Sequence, residues 1–218
     1  MIPANVLHSP GEHPFFFDGP TASLEAVLTM PETPPGTHIA LLGHPHSLQG
    51  GSMNNKVVTT LARAFRELGI PSLRFNFRGV GQSSGVYDAG LGESEDMLAL
   101  RSQWETLYPG FRVIYAGFSF GAYVSYRAAA QSEHELLISI APAVNHNDYK
   151  AFSPRPWYII QGDEDEVVPA AEVRAFAAGS EPPIPVIRFA DTTHFFHGKL
   201  LPLKEEIMRI VREQVLRS

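Results

Sequence analysis

The chain has 218 residues, 44% of them hydrophobic, which supplies one sizeable core and leaves little room for two comfortable domains. A formal charge of −6, with no basic stripe to interrupt it, argues against a nucleic-acid partner. The absence of cysteine removes disulfides, thiolate metal sites and a cysteine nucleophile from consideration. No basic segment followed by a long apolar run opens the chain, and runs such as "LLISIAPAV" are too short to span a bilayer. A soluble cytoplasmic protein is the expectation.

In chain order, short β-like runs alternate with longer amphipathic stretches, the pattern of a parallel sheet covered by helices. A hairpin-like N-terminal segment leads through the proline-rich loop Met30–His38 to a buried strand, "HIALLGH" (His38–His44). A helix follows, with Val57, Val58, Leu61, Phe65 and Leu68 at helical spacing, Asn54 or Asn55 as N-cap and Gly69 just past its end. "PSLRFNF" is the next strand, "RGVGQSSG" (Arg78–Gly85) a glycine-rich turn, and Glu93–Leu107 a second helix. "RVIYAGFSFGAYVSYRAAA" passes from strand to helix through a turn, and "LLISIAP", "WYIIQGD" and "IPVIRFA" are three further strands. The C-terminal "LPLKEEIMRIVREQVLRS" closes as an amphipathic helix with Leu203, Ile207, Ile210, Val211 and Val215 inward. The fold class expected is one α/β domain, 1–218, a doubly wound and mostly parallel sheet with helices on both faces.

"GFSFG" (Gly117–Gly121) matches G-x-S-x-G in the context that gives the pattern meaning, a strand before and a helix after. Glycine two before and two after Ser119 makes room for a turn sharp enough to hold a nucleophile clear of the sheet. The amide of Phe120 then opens a helix, where the dipole favours negative charge on a substrate oxygen. A serine hydroxyl needs a base, and the base an orienting acid. Asp163 and Asp165 both lie near the end of "WYIIQGD". His194 and His197 both lie in "DTTHFFHG", beyond the last strand.

With serine, acid and histidine in that order, the chain resembles the α/β-hydrolase superfamily, in particular its small cap-less, dienelactone-hydrolase-like bacterial members. The frame G-x-x-D-x-x-V-P fits Gly162, Asp165, Val168 and Pro169, so the resemblance selects Asp165, leaving Asp163 to turn stabilisation and Glu164 and Glu166 as solvated charges. It selects His194 as base, with Phe195 and Phe196 walling the imidazole, and gives His197 a local structural role. The loop "GHPHSLQGGSMNNK" holds the second oxyanion donor. Pro45 has no N–H, so the amide of His46 is the choice and Ser47 the runner-up, while His44 holds the loop by hydrogen bonds. The run "HPHSLQGGSMNNKVV…LRFNFRGVGQSSG" is similar to one group of small bacterial α/β hydrolases, which implies a serine hydrolase without naming a substrate.

Other signals weigh less. Gly79, Gly81 and Gly85 are spaced G-x-G-x-x-x-G after the second parallel strand, not as a dinucleotide fingerprint at the first, so no cofactor is expected. Arg78 there is structural or rim-lining. A metal on His194, His197 and Asp191 would make the serine turn and the ordered acid coincidences, so no metal is expected either. The short segment Ala143–Pro154 stands where larger relatives insert a lid, so the site should be open, set by Tyr87, Asn145, His146 and Tyr149. The expected function is cleavage of small esters by Ser119, Asp165 and His194, with His46 and Phe120 binding substrate. A peptidase or thioesterase on the same residues, or a non-catalytic binding protein, is the alternative. Nothing in the sequence reports the oligomeric state.

Overall fold

A computed structural model describes residues 1–33, 36–149 and 153–216. The proline-rich loop, the segment expected in place of a lid and the C-terminus therefore each fall partly outside the described residues.

Eight strands form a single sheet: β1 (Gly11–Asp18), β2 (Ser23–Met30), β3 (His38–Gly43), β4 (Ser72–Phe75), β5 (Arg112–Phe118), β6 (Leu136–Ile140), β7 (Trp157–Gly162) and β8 (Val186–Phe189). Their order is β1-β2-β4-β3-β5-β6-β7-β8. The expected N-terminal hairpin is β1 and β2, and β2 also runs antiparallel to β4; every pairing from β4 to β8 is parallel. Helix α1 (Lys56–Glu67) and α5 (Leu200–Gln214) cover one face; α2 (Leu91–Leu107), α3 (Phe120–Ala129) and α4 (Ala170–Ala178) cover the other. Strand residues alternate between the two layers, Ile39 and Leu41 towards α2 and α3, Ala40 and Leu42 towards α1.

The local signals at α1 act as anticipated. Asn55 is the N-cap, its side chain accepting from the Val57 amide at 2.9 Å, and Gly69 follows the helix at φ 74°. On α5, Leu203, Ile207, Ile210 and Val211 are buried and Val215 is half-buried. Helix α4 was not anticipated: its buried residues are only Ala170, Val173 and Ala177, a stripe too narrow to declare itself in the sequence.

The crossover from β5 to α3 is the tightest point of the fold. The paired ends of β3 and β5 put Gly43 opposite Gly117, and the first turn of α3 lies on both at Gly121. A Cβ on any of the three would overlap the backbone of its neighbour, so the helix can sit this close only because none has a side chain. Ser119, between strand and helix, is forced to φ 55°, ψ −119°, and is held there by its amide donating to the Ile140 carbonyl at 2.9 Å. Such a conformation costs a non-glycine residue about 1–3 kcal/mol.

Two side chains brace the neighbouring loops. Fully buried His44 accepts from the Phe77 amide at Nε2 (2.9 Å) and donates from Nδ1 to the Pro45 carbonyl (2.6 Å), tying the loop after β3 to the chain beyond β4. Arg78 grips buried Asp96 on α2 through Nε (2.7 Å) and Nη2 (3.1 Å), which makes it a structural residue.

These features generate two predictions. Ser119→Gly should raise the unfolding free energy by about 1 kcal/mol: strain relief of ~1–3 kcal/mol exceeds the ~0.4–1 kcal/mol of extra chain entropy that glycine brings to the unfolded state. Ser119→Ala keeps the Cβ and should gain nothing comparable, so urea denaturation of the two variants separates strain from any other effect. The second concerns His44. Burial pushes its imidazole from 6.5 down to about 3, against the upward pull of the Pro45 carbonyl. In between, the unfolded chain binds a proton that the folded chain refuses. The stabilisation is therefore complete above pH 6.5 and is lost as pH falls towards 3, by up to about 1.4 kcal/mol per unit. Denaturation at pH 7 and pH 5 should show a smaller stability loss in His44→Gln than in the native chain.

Candidate active site

Ser119, His46 and His194 line one cleft at the carboxyl edge of the parallel strands. The cleft has two lobes. The smaller, about 90 Å³, lies between the loop after β3 (Pro45, Gly50, Gly51) and the walls formed by His194 and Phe195. The larger, about 240 Å³, is walled by Tyr87, Phe120, Ala143, His146 and Asn147. Ser119, His46, Gln49 and Val167 belong to both, so the serine stands where the lobes meet.

Asp165 and His194 are brought together by another close backbone approach. Gly162 ends β7, and a Cβ there would overlap the Thr192 carbonyl, so the loops after β7 and β8 pack directly on each other. The result is a buried pair, His194 Nδ1 donating to Asp165 Oδ2 at 2.8 Å. The carboxylate is further held by the amides of Val167 (2.9 Å) and Val168 (2.7 Å) on Oδ1 and by Gln161 Nε2 (3.0 Å) on Oδ2. Burial alone would raise the Asp165 pKa, but the bonds from His194, Val168 and Val167 outweigh it and hold the group below the usual carboxylate range. With Nδ1 committed to Asp165, Nε2 is the ring nitrogen left for the cleft.

The aromatic surroundings of His194 differ in part from expectation. Phe195 does wall the imidazole, edge-on at 5.1 Å, and Phe118 packs on it at 4.9 Å. Phe196 turns the other way, at φ 53°, into the core beneath α5 and against Phe189 at 5.5 Å. The alternation of two adjacent residues at a kinked turn sends one ring to the site and the other to the core. His197 is exposed and its ring meets Phe195, outside the residues that line the cleft.

The acidic neighbours also divide. Asp163 pairs with Arg188 through two bonds of 3.0 Å at the surface, apart from the cleft. Glu166 is more than a solvated charge: its carboxylate accepts from the His194 amide at 3.1 Å, fixing the backbone of the loop. Gln161 and Glu166 carry no motif that sequence reasoning could use, since their partners are brought to them only by the folding of two loops.

Near the serine, Phe120 begins α3, so its amide is among those with no intrahelical partner, at the positive end of the helix dipole. The His46 amide follows Pro45 in the opposing loop, and Gly51 lets that loop double back on the Pro45 carbonyl without a side chain in the way. The His46 side chain takes part as well. Its Nδ1 accepts from the Leu48 amide (3.2 Å), its Nε2 meets the Tyr87 hydroxyl (3.2 Å), and its ring packs 5.0 Å from Phe120. Of the other wall residues expected, Tyr87 and His146 line the cleft, whereas Tyr149 is buried among Tyr126, Trp157 and Phe176, and Asn147 takes the place of Asn145.

Among the described residues no helix is long and apolar enough to cross a membrane. No family model matches the chain. It is 37% identical to the Rickettsia prowazekii protein RP471 over 166 residues, 73% of this chain and 69% of that protein. An α/β serine hydrolase homologue from Coxiella burnetii is 43% identical, with a TM-score of 0.88 over 91% of this chain and 97% of that one. The Xanthomonas campestris protein XC6422, a serine hydrolase without a lid, is 42% identical, with a TM-score of 0.90 over 95% of this chain and 97% of that one. At this level of identity over nearly the whole of both chains, the likeness extends beyond the fold: the chain belongs to the α/β serine hydrolases that lack a lid.

Proposed function

We propose that this protein hydrolyses small esters through an acyl-enzyme on Ser119. The observation that carries the reading is the buried His194–Asp165 pair, whose imidazole opens onto the cleft that Ser119 lines. Asp165 fixes the tautomer in which Nδ1 carries the proton, so Nε2 is basic and faces the reaction. Nε2 takes the Ser119 proton as Oγ attacks the ester carbonyl. The amides of Phe120 and His46 hold the developing oxyanion, each such donor being worth about 3–4 kcal/mol. His194 then returns the proton to the departing alcohol, and water, deprotonated by the same nitrogen, cleaves the acyl-enzyme. Asp165 stays ionised throughout and stabilises the imidazolium; its low pKa suits that role.

The absence of a lid and the modest lobes favour short acyl and alcohol groups over long lipids. With its shared position, Ser119 would hold the acyl group in one lobe and the leaving alcohol in the other.

A fluorophosphonate probe should label the native protein at Ser119 and leave Ser119→Ala unlabelled; no labelling under any condition would favour a binding protein on the same fold. On p-nitrophenyl esters of graded chain length, assayed beside acyl-CoA and aminoacyl amides, the short esters should be turned over fastest. Ser119→Ala and His194→Ala should each lose at least about 10⁴-fold in kcat, and Asp165→Asn roughly 10³–10⁴-fold. His197→Ala should retain most of the native rate. Equal losses at His194 and His197 would overturn the choice of base, and unchanged turnover in Asp165→Asn the choice of acid.

A further inference from the structure

The larger lobe carries a polar device that ester cleavage alone does not require. His46 Nδ1 accepts the Leu48 amide proton at 3.2 Å, so in the neutral ring the proton sits on Nε2. The ring is neutral at physiological pH, since burial lowers its pKa below the ordinary 6.5 against the upward pull of the Glu93 carboxylate, and His146 lowers it further. Nε2–H therefore donates to the Tyr87 oxygen, 3.2 Å away. A tyrosine oxygen that accepts in this way still has its own proton to give, and no described side chain or backbone group takes it. Phe120 packs on both rings, 5.0 Å from His46 and 5.5 Å from Tyr87, and so holds the two in place.

We propose that Tyr87, aligned by His46, is a specificity-determining donor that selects esters bearing an uncharged hydrogen-bond acceptor a few atoms from the scissile carbonyl. A ketone, ether or amide oxygen has the required chemistry. The inference rests on the esterase reading and narrows its substrate class.

Charge separates a neutral acceptor from a carboxylate. Neither lobe is lined by a lysine or arginine among the described residues. Behind Tyr87 stands the fully buried carboxylate of Glu93, bound to the amides of Asp88 (2.9 Å) and Gly90 (2.8 Å). Its negative field reaches both rings, raising the Tyr87 pKa after burial has already done so. An anionic substrate group beside Tyr87 would meet that field with no lysine or arginine in the lining to pair with it, since Arg78, which also interacts with Glu93, is bound to Asp96. A neutral oxygen meets a donor that stays protonated.

The test compares p-nitrophenyl 4-oxopentanoate with p-nitrophenyl 4-methylpentanoate, which differ by an acceptor oxygen remote from the reacting carbon. Each kcat/KM is divided by the hydroxide rate of the same ester. The native enzyme should prefer the oxo ester, and Tyr87→Phe should reduce that preference three- to tenfold, the span expected for one neutral hydrogen bond. The preference is a ratio within one variant, so a general loss of folding or of active sites cancels. The mono-p-nitrophenyl ester of adipic acid, an anion, should be poorer than either. A native preference that survives Tyr87→Phe, no native preference, or the adipate as best substrate would each overturn the proposal while leaving the esterase reading intact. Failure of the native protein to turn over any of the three, with no fluorophosphonate labelling of Ser119, would overturn the esterase reading and this inference with it.

Discussion

The close approach of Gly121 to Gly43 and Gly117 is the constraint on which the rest of the molecule depends. Backbone meets backbone there, so the first turn of α3 can lie across the ends of two parallel strands. From that one contact follow the forced φ of Ser119, the place of its side chain in the lining of the cleft, and the direction in which the Phe120 amide points. The loop after β3 begins at Gly43, so its position relative to the serine is set by the same contact. Gly162 repeats the device on the other side of the site, where it lets the loops carrying Asp165 and His194 touch through the Thr192 carbonyl. Two glycine contacts thus bring Ser119 and His194, far apart in sequence, to one cleft, with Asp165 buried and bonded to the imidazole.

Within that frame the polar groups fix each other. Asp165 has both oxygens doubly engaged, by Val167 and Val168 on one and by His194 and Gln161 on the other, which leaves it one geometry and keeps it charged in a buried setting. His44 does the opposite by remaining neutral: each ring nitrogen has one partner, and a proton on Nε2 would break the bond from Phe77. The acid is buried and charged, the histidine buried and uncharged. Hydrogen-bond partners keep the Asp165 carboxylate charged against the pull of burial, whereas burial keeps the His44 imidazole neutral against the pull of the Pro45 carbonyl.

How much of this was legible in the sequence depended on whether a feature was local. The parallel sheet, the serine turn, the Asn55 cap and the inward face of α5 were read correctly because periodicity and spacing carry them. The order serine, acid, histidine sets the three residues after β5, β7 and β8, and the distance between His194 and Asp165 shows those two paired. What escaped were contacts between loops. Glu166 reads as a solvated charge until the loop after β8 brings the His194 amide to it. Phe196 and Tyr149 read as site walls because their neighbours are, although each turns into the core. The pairing of His46 with Tyr87 joins loops forty-one residues apart and has no sequence signature. Helix α4 was missed for a different reason, since its alanine-rich stretch buries too little to show a period.

The molecule concentrates its backbone strain where these loops meet. Five non-glycine residues among those described have positive φ: Ala89, Ser119, Ala141, Asp191 and Phe196. They follow β4, β5, β6 and β8, so all lie along the carboxyl edge of the sheet. Each unfavourable conformation must be held by something stronger nearby. Ser119 and Ala141 are held by ladder-like bonds to Ile140 and Ile160, which extend the sheet one residue past its strands. Phe196 is held differently, by a side chain fully buried against Phe189 and the underside of α5. That apolar anchor closes the loop whose other ring, Phe195, stands against His194. The imidazole is therefore positioned from two sides, by a carboxylate that fixes its tautomer and by a hydrophobic bolt that fixes the loop carrying it. Hydrogen bonding to Asp165 sets which nitrogen is basic; burial of Phe196 sets where that nitrogen can be.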